Sequence, residues 1–347
     1  MPPKIRFAMV GCGHIAPRWL DVFAANPDTD LIAIADPNPK AFDVLKKYSF
    51  PHLHTYSTFE QVIENEKPNA IAILTPPQYH ARYIIEGIEA GVHVLTEKPL
   101  CTDLGQLHHI QAALPMATKK KLITAVNQQY RWNPRIQAIH DAVQQGLLGD
   151  VFAVHSEFNQ NNYKFSEWWR RQEEYISLFN WFVHPIDTMR YYLNQHPIQV
   201  WARFIHPPHS KILGYSSMIL HVTFDKGTEW VFSANQESIA GPTTSGHTTF
   251  TMYGTQGTLF NPKNEAPMLF TPDGKKTELG ENIAAIDNES TYPPGWDETV
   301  AKFVHSIRTG EPHPCSITDN FETIGILFAA IKSHETGRTV ALQEILR

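Results

Sequence analysis

Cysteine is scarce in this chain of 347 residues, and the scarcity removes two classes of protein at once. Cys12, Cys101 and Cys315 stand too far apart for a disulfide framework or a zinc site, so no metal and a reducing compartment are expected. No run of 18 apolar residues occurs, which excludes a membrane-spanning helix. Positive charge is not in excess either. Lys and Arg number 29 against 35 Asp and Glu, for a net charge of −6, and nothing electrostatic invites a nucleic acid. Internal repeats and low-complexity tracts are absent. The start, Met1-Pro2-Pro3-Lys4-Ile5-Arg6, runs straight into a strand with no signal-peptide core, so a cytoplasmic protein is expected.

What is present is a soluble globular composition, 42% hydrophobic and 18% charged, in a chain long enough for two domains. The first part alternates regularly. Continuous apolar runs at 5–10, 31–35, 70–74, 92–96 and 122–126 predict strands buried on both faces of a parallel sheet. Helix-like stretches at 15–25, 41–48, 58–65, 79–90 and 104–114 separate them, and the whole predicts a doubly wound α/β (Rossmann) domain over 1–126. From about residue 150 the pattern becomes apolar–polar alternation at 151–158, 200–205, 218–224 and 230–234 with no helix between. That predicts an α+β second domain, 127–347, with a large open and mainly antiparallel sheet. Two helices, 297–308 and 319–335, close the chain.

The first chemical motif is Gly11-Cys12-Gly13-His14-Ile15-Ala16, between a strand and a helix. Gly11 permits the tight turn, Gly13 lets the backbone approach a pyrophosphate, and the small Ala16 allows close helix–strand packing. The amides at His14 and Ile15 then face the phosphates from a helix N-terminus. Asp36 ends the next strand, where a carboxylate accepts the ribose hydroxyls and repels a 2′-phosphate; NAD is therefore expected over NADP, with Lys40 as the residue that would favour NADP. Thr75-Pro76-Pro77-Gln78-Tyr79-His80 follows the strand at 70–74, where Thr75 and Pro76 would line the nicotinamide half. His80 is read first as a residue tied into the helix start. Glu97-Lys98-Pro99 closes the strand at 92–96 and sets a lysine at the same edge of the sheet.

These residues together resemble the glucose–fructose oxidoreductase / inositol dehydrogenase (Gfo/Idh/MocA) family, and the resemblance spans about residues 5 to 345. It extends to Gly254-Thr255-Gln256-Gly257-Thr258-Leu259 and to the closing helices with Ser333-x-x-Thr336-Gly337-Arg338. The resemblance implies an NAD(P)-dependent oxidoreductase acting on a sugar, sugar derivative or cyclitol. It implies Lys98 as the catalytic lysine, with Glu97, His80 and Gln128 on the cofactor side, and a homodimer or homotetramer built through the open sheet. His184 and Asp187 match the family's second signature, but Asn180 stands where the family has an aspartate. An amide can hydrogen-bond a hydroxyl or a histidine yet cannot take a proton. Proton transfer would then fall on Lys98 and His184. Arg131 resembles a family arginine with a structural part, and Asp187 is expected to orient its neighbour.

Substrate contacts are expected from Asn159, Tyr163, Trp168, Trp169, Arg170, Arg171, Asn180 and His184, in the segment the family uses for them. Indole faces stack on sugar C–H surfaces, and guanidinium forks hold carboxylates, phosphates or sulfonates. Tyr292 and Trp296 are expected to close the pocket. The resulting expectation is hydride transfer from a secondary hydroxyl to nicotinamide. Two alternatives share the same residues: a glycosidase that uses NAD transiently, and a cofactor-binding regulator without turnover.

Overall fold

The computed structural model describes residues 2–161, 173–239, 248–263, 265–280 and 295–347. The chain divides into two compact units, residues 1–129 with 295–321 and residues 130–294 with 322–347.

The first unit runs β1 (Ile5–Val10), α1 (Ala16–Ala25), β2 (Thr29–Ala35), β3 (His54–Tyr56), α2 (Phe59–Glu66), β4 (Ala70–Ile73), α3 (His80–Ala90), β5 (His93–Glu97), α4 (Leu104–Lys119) and β6 (Thr124–Asn127). Every strand pair is parallel, in the order β3-β2-β1-β4-β5-β6. All four residues of β4 are buried, as a strand covered on both faces requires. The helix ends follow local chemistry. Thr58 and Gln61 form a capping box at α2, and Asp103 caps α4. Gly91 ends α3 in the left-handed conformation. Strand order reverses beside β1, the place where such sheets bind ligands at their carboxyl edge. One expected helix differs: Pro39–Lys47 is a 3₁₀ segment with no fully buried residue, so little packing favours its extension into an α-helix.

A helix from late in the chain, Trp296–Thr309, belongs to this unit. Its stripe Trp296, Val300, Phe303 and Val304 enters the core that holds Phe7, Trp19 and Phe23. The Phe7 ring lies 5.1 Å from Phe23 and 6.1 Å from Phe303. The expected boundary at residue 126 had assigned this helix to the second domain. Periodicity reveals that a helix has an apolar stripe but not which core the stripe enters.

The second unit holds α5 (Pro134–Gln144), β7 (Val151–Asn159), α6 (Val183–Leu193), β8 (Pro197–Ile205), β9 (Ser217–Phe224), β10 (Glu229–Asn235), β11 (Thr249–Gly254), β12 (Thr258–Asn261), β13 (Met268–Phe270), β14 (Lys276–Glu278) and β15 (Val340–Ala341). Among the described residues these strands form one sheet, β14-β13-β12-β11-β7-β10-β9-β8-β15, antiparallel except where β7 meets β10. The expectation that no helix interrupts the strands fails at α6. Ten of its eleven residues are buried, so it shows no amphipathic period for a sequence reading to find. Among the described residues no helix is long and apolar enough to cross a membrane.

Phe303→Ala should destabilise the protein by about 3–5 kcal/mol, the usual cost of truncating a buried aromatic. Urea unfolding measures this, and a change under about 1 kcal/mol would remove the helix from the core of the first unit.

Candidate active site

In the first unit, the chemistry gathers at the carboxyl edge of the sheet. A Cβ added at Gly11, where φ is +92°, would meet Thr75 N at 2.8 Å, so only glycine lets the loop after β1 lie against the end of β4. A Cβ at Gly13 would meet nothing within 4 Å, and that residue is exposed. His14 is exposed and Ile15 half-buried at the start of α1. Asp36 uses one oxygen to accept the Cys12 N–H and the other to accept the Asn38 N–H, both at 2.8 Å. The carboxylate is thereby aimed, with lone pairs remaining for a hydroxyl. Burial, and then Asp36, push the Cys12 thiol up to about 11, so the loop cysteine stays neutral at physiological pH.

Glu97 is the best-anchored group of this edge. It is 7% exposed, and Oε1 accepts from Trp19 Nε1 at 2.8 Å, Asn127 Nδ2 at 2.9 Å and Trp296 Nε1 at 3.2 Å. Oε2 accepts the Lys98 amide at 3.2 Å. The carboxylate therefore fixes the turn on which the half-buried Lys98 stands. Trp296, expected to close a pocket, is instead a buried donor to Glu97; Tyr292 lies outside the described residues. Pro76 is exposed beside Thr75, and His80 is buried with Nδ1 2.7 Å from Pro99 O and Nε2 2.9 Å from Thr75 O.

Several polar atoms at this edge are buried without a hydrogen-bond partner: Thr75 Oγ1, Asn127 Oδ1, both amide atoms of Gln128, and Gln129 Oε1. A buried polar atom left unpaired costs about 1–3 kcal/mol, so four side chains in one region point to a polar ligand that pairs them. With the open face at Gly13 and the aimed Asp36, these residues fit a dinucleotide. Among the described residues no cluster of ligands suits a metal ion.

In the second unit, the expected residues lie on and just before α6. Residues Leu178–Phe182 form a π-helical turn that contains Asn180 and runs into α6, with the Val183 N–H donating to Leu178 O. Such turns recur at functional sites. Pro185 gives a physical cause: a proline ring crowds the carbonyl four residues earlier, here Trp181, and a widened turn relieves it. His184 is 6% exposed, and its ring stacks on Tyr130 at 4.0 Å and 11° between planes. Burial pushes the Tyr130 phenol up to about 12, so it stays protonated throughout the working range.

One residue further on, Arg131 grips Asp187 with two parallel bonds of 2.7 Å, and Thr323 Oγ1 donates to the same carboxylate at 2.9 Å. Tyr130 and Arg131 therefore hold His184 and Asp187, one turn apart on α6, so Asp187 and Arg131 are structural as expected. Tyr130 itself carried no signal beyond lying beside Arg131. A cavity of about 30 Å³ lined by Tyr130, Arg135, Pro185, Thr188, Tyr192 and Asn261 has room for a water or two and none for a sugar.

Asn159 stands at the end of β7. Its side chain donates to Glu157 on one face of β7, while Phe158 meets Phe182 from the opposite face with ring centroids 5.9 Å apart. Tyr163, Trp168, Trp169, Arg170 and Arg171 lie outside the described residues.

Comparison with known proteins decides the family. "Oxidoreductase family, NAD-binding Rossmann fold" of GFO/IDH/MocA matches residues 5–128, and its C-terminal domain matches residues 136–260. The chain belongs to the Gfo/Idh/MocA oxidoreductases. It is 26% identical over 200 residues to inositol 2-dehydrogenase of Rhizobium meliloti, covering 57% of this chain and 58% of that protein. D-apiose dehydrogenase of Paraburkholderia graminis is 22% identical over 99% of this chain and 91% of its own length. The crystal structure of an Agrobacterium radiobacter oxidoreductase in complex with NAD+, L-tartaric acid and magnesium superposes with a TM-score of 0.87 at 20% identity, covering 99% of this chain and all of that one. The fold class, the oxidoreductase class and the NAD-binding Rossmann domain expected from sequence all stand.

In this oxidoreductase, Asp187→Ala should cost about 3–5 kcal/mol, because it leaves the Arg131 guanidinium buried without its carboxylate. Thermal unfolding at pH 7 tests this, and a change within about 0.5 kcal/mol would be that of an exposed surface position and would refute the brace.

Proposed function

We propose that this oxidoreductase oxidises a secondary hydroxyl of a sugar, sugar derivative or cyclitol with NAD, using Lys98 and His184 as its acid/base groups. The observation that carries the reading is the placement of Lys98. It stands at the carboxyl end of β5, on a turn bound through Glu97 to two indoles, at the edge that holds the unpartnered Thr75 and Gln128 atoms. NAD, when bound, accepts the hydride. Gly11, Gly13, His14, Ile15 and Asp36 would hold its adenosine and phosphate half, and Thr75, Pro76 and Gln128 its nicotinamide half.

The chain's own residues then have three tasks. Lys98 Nζ hydrogen-bonds the substrate hydroxyl, receives its proton and steadies the alkoxide. A cationic neighbour and partial burial both lower an ammonium's proton affinity, which suits a lysine for this exchange near neutral pH. His184, held flat by Tyr130, is the second proton carrier, and Asn180 hydrogen-bonds the substrate without exchanging a proton. The carboxylate of Asp36 favours NAD over NADP by repelling a 2′-phosphate.

The open sheet supports a homodimer or homotetramer. Val231 and Phe260 lie in one row across β10, β7, β11 and β12, Ile219 lies on the same face one row away, and all three are exposed. His155 and Thr251 stand between Val231 and Phe260 in that row, so the face is mixed, apolar side chains set among polar ones, as the interfaces of many assemblies are. The three buried free thiols suit a reducing, cytoplasmic setting.

An NADH-absorbance screen over sugars, uronic acids, sulfosugars and inositols tests the reaction class. With the best substrate, Lys98→Ala should lower kcat by about 10²–10⁴ while NAD affinity is held. Normal turnover in that variant would end the assignment of Lys98. Asp36→Ala should shift the kcat/KM ratio toward NADP, and an unchanged ratio would remove Asp36 from cofactor choice.

A further inference from the structure

A neutral histidine can donate one hydrogen bond from its ring, yet His80 faces two acceptors. Nδ1 lies 2.7 Å from the carbonyl of Pro99 and Nε2 lies 2.9 Å from that of Thr75, with the side chain 1% exposed. Carbonyl oxygens only accept. In either neutral tautomer, one ring nitrogen would present its lone pair to an oxygen lone pair at hydrogen-bonding distance. The repulsion is little screened in a buried place. The imidazolium donates at both nitrogens, and both bonds become charge-assisted.

We propose that His80 is a doubly protonated imidazolium that acts as a positioning residue, tying the loop after β4 to the turn after β5. Those loops carry Thr75 and Lys98, and β4 and β5 are neighbours in the sheet. The brace sets the height of the Lys98 backbone against the loop that bears the unpartnered Thr75 hydroxyl. Its catalytic consequence rests on the reading of Lys98 as acid/base; its charge state does not.

The titratable groups nearest to His80 and its two acceptors along the chain stand on three elements. The turn after β5 brings Glu97 and Lys98, the start of α4 brings Asp103, and α3 itself brings Tyr79 and Arg82. Glu97 already accepts from Trp19, Asn127, Trp296 and the Lys98 amide. Asp103 accepts the Gln106 N–H, and Arg82 pairs with Glu60 and Glu86. The Pro99 and Thr75 carbonyls stand as acceptors at the two ring nitrogens. A histidine favoured as a cation in the folded chain retains its proton above the pH at which a free one loses it. The stability it contributes is complete below the free value and fades as pH rises through the folded one.

Nitrogen-15 NMR of the full chain labelled at histidine tests this between pH 6 and 9. At pH 8 an unperturbed histidine, titrating near 6.5, is roughly 97% neutral. One ring should nevertheless show two N–H groups in slow exchange, with cross-relaxation to Thr75 and Pro99, and should be missing from His80→Asn. The wild-type spectrum suffices if that variant does not fold. One bare and one protonated nitrogen on the His80 ring at pH 8 overturns the charge state. For the positioning role, His80→Asn should lower kcat by about 10²-fold, the scale of a displacement near 1 Å, with NAD affinity held. An unchanged kcat and pH profile in a folded His80→Asn overturns that role. If instead Lys98→Ala keeps normal turnover while the two-proton signal persists, the acid/base reading of Lys98 fails and the brace stands.

Discussion

The active edge of the first unit depends on one buried carboxylate. Glu97 is taken from water and receives two indole N–H groups, a carboxamide and a backbone amide. Removing an ionised carboxylate from solvent is costly unless its lone pairs are filled, and here four donors fill them. Those donors come from α1, β6, the helix Trp296–Thr309 and the turn itself, so the carboxylate gathers donors that stand up to 199 residues from it in the chain. Lys98 follows it by one residue. A lysine is a flexible chain, and only a rigid backbone beneath it makes its head dependable in one place. The resemblance suggested Glu97 as a cofactor contact; the structure gives it the internal task of holding this turn.

The same logic operates in the second unit with different chemistry. The imidazole of His184 is set by a face-to-face aromatic contact, and α6 by the bidentate pairing of Arg131 with Asp187. Both supports issue from consecutive residues, Tyr130 and Arg131, which limits how far the ring and the helix can move independently. The π-helical turn upstream then displaces Asn180 from the register of a regular helix. It sits where the chain meets Pro185, so the local irregularity is a product of covalent structure as much as of packing.

Much of this was legible in sequence because it is local. Buried parallel strands are continuous apolar runs, and Gly11, Gly13 and Ala16 stand between a strand and a helix, so the Rossmann unit and its loop needed no partner information. Asp187 and Arg131 were readable as structural through the family pattern. What escaped depends on contacts distant in sequence or on the absence of a period. The Trp296 stripe announced a helix but not its destination. The almost wholly buried α6 showed no amphipathic period, and Tyr130 became significant only when folding laid it against His184. The direction of Asn159 was not legible for a simpler reason: adjacent strand residues face opposite ways, and a segment assignment does not fix parity.

The family resemblance places an aspartate where Asn180 stands, and under the proposed mechanism the supports around His184 bear on what that difference costs. An aspartate there would stabilise an imidazolium by charge; an amide offers only a dipole. The face of Tyr130, parallel to the imidazole at 4.0 Å, lays a second electron-rich surface against the ring. Its π cloud attracts a cation by about 0.5 kcal/mol when exposed and about 2 kcal/mol when desolvated, and His184 is buried. That recovers part of the lost stabilisation without introducing a second titrating group, since the phenol stays protonated. A histidine supported in this way is a weaker proton reservoir than one paired with a carboxylate. Under the proposed mechanism more of the proton transfer therefore falls on Lys98, and the chain fixes that lysine from both sides, through the Glu97 carboxylate before it and the His80 contact to Pro99 after it.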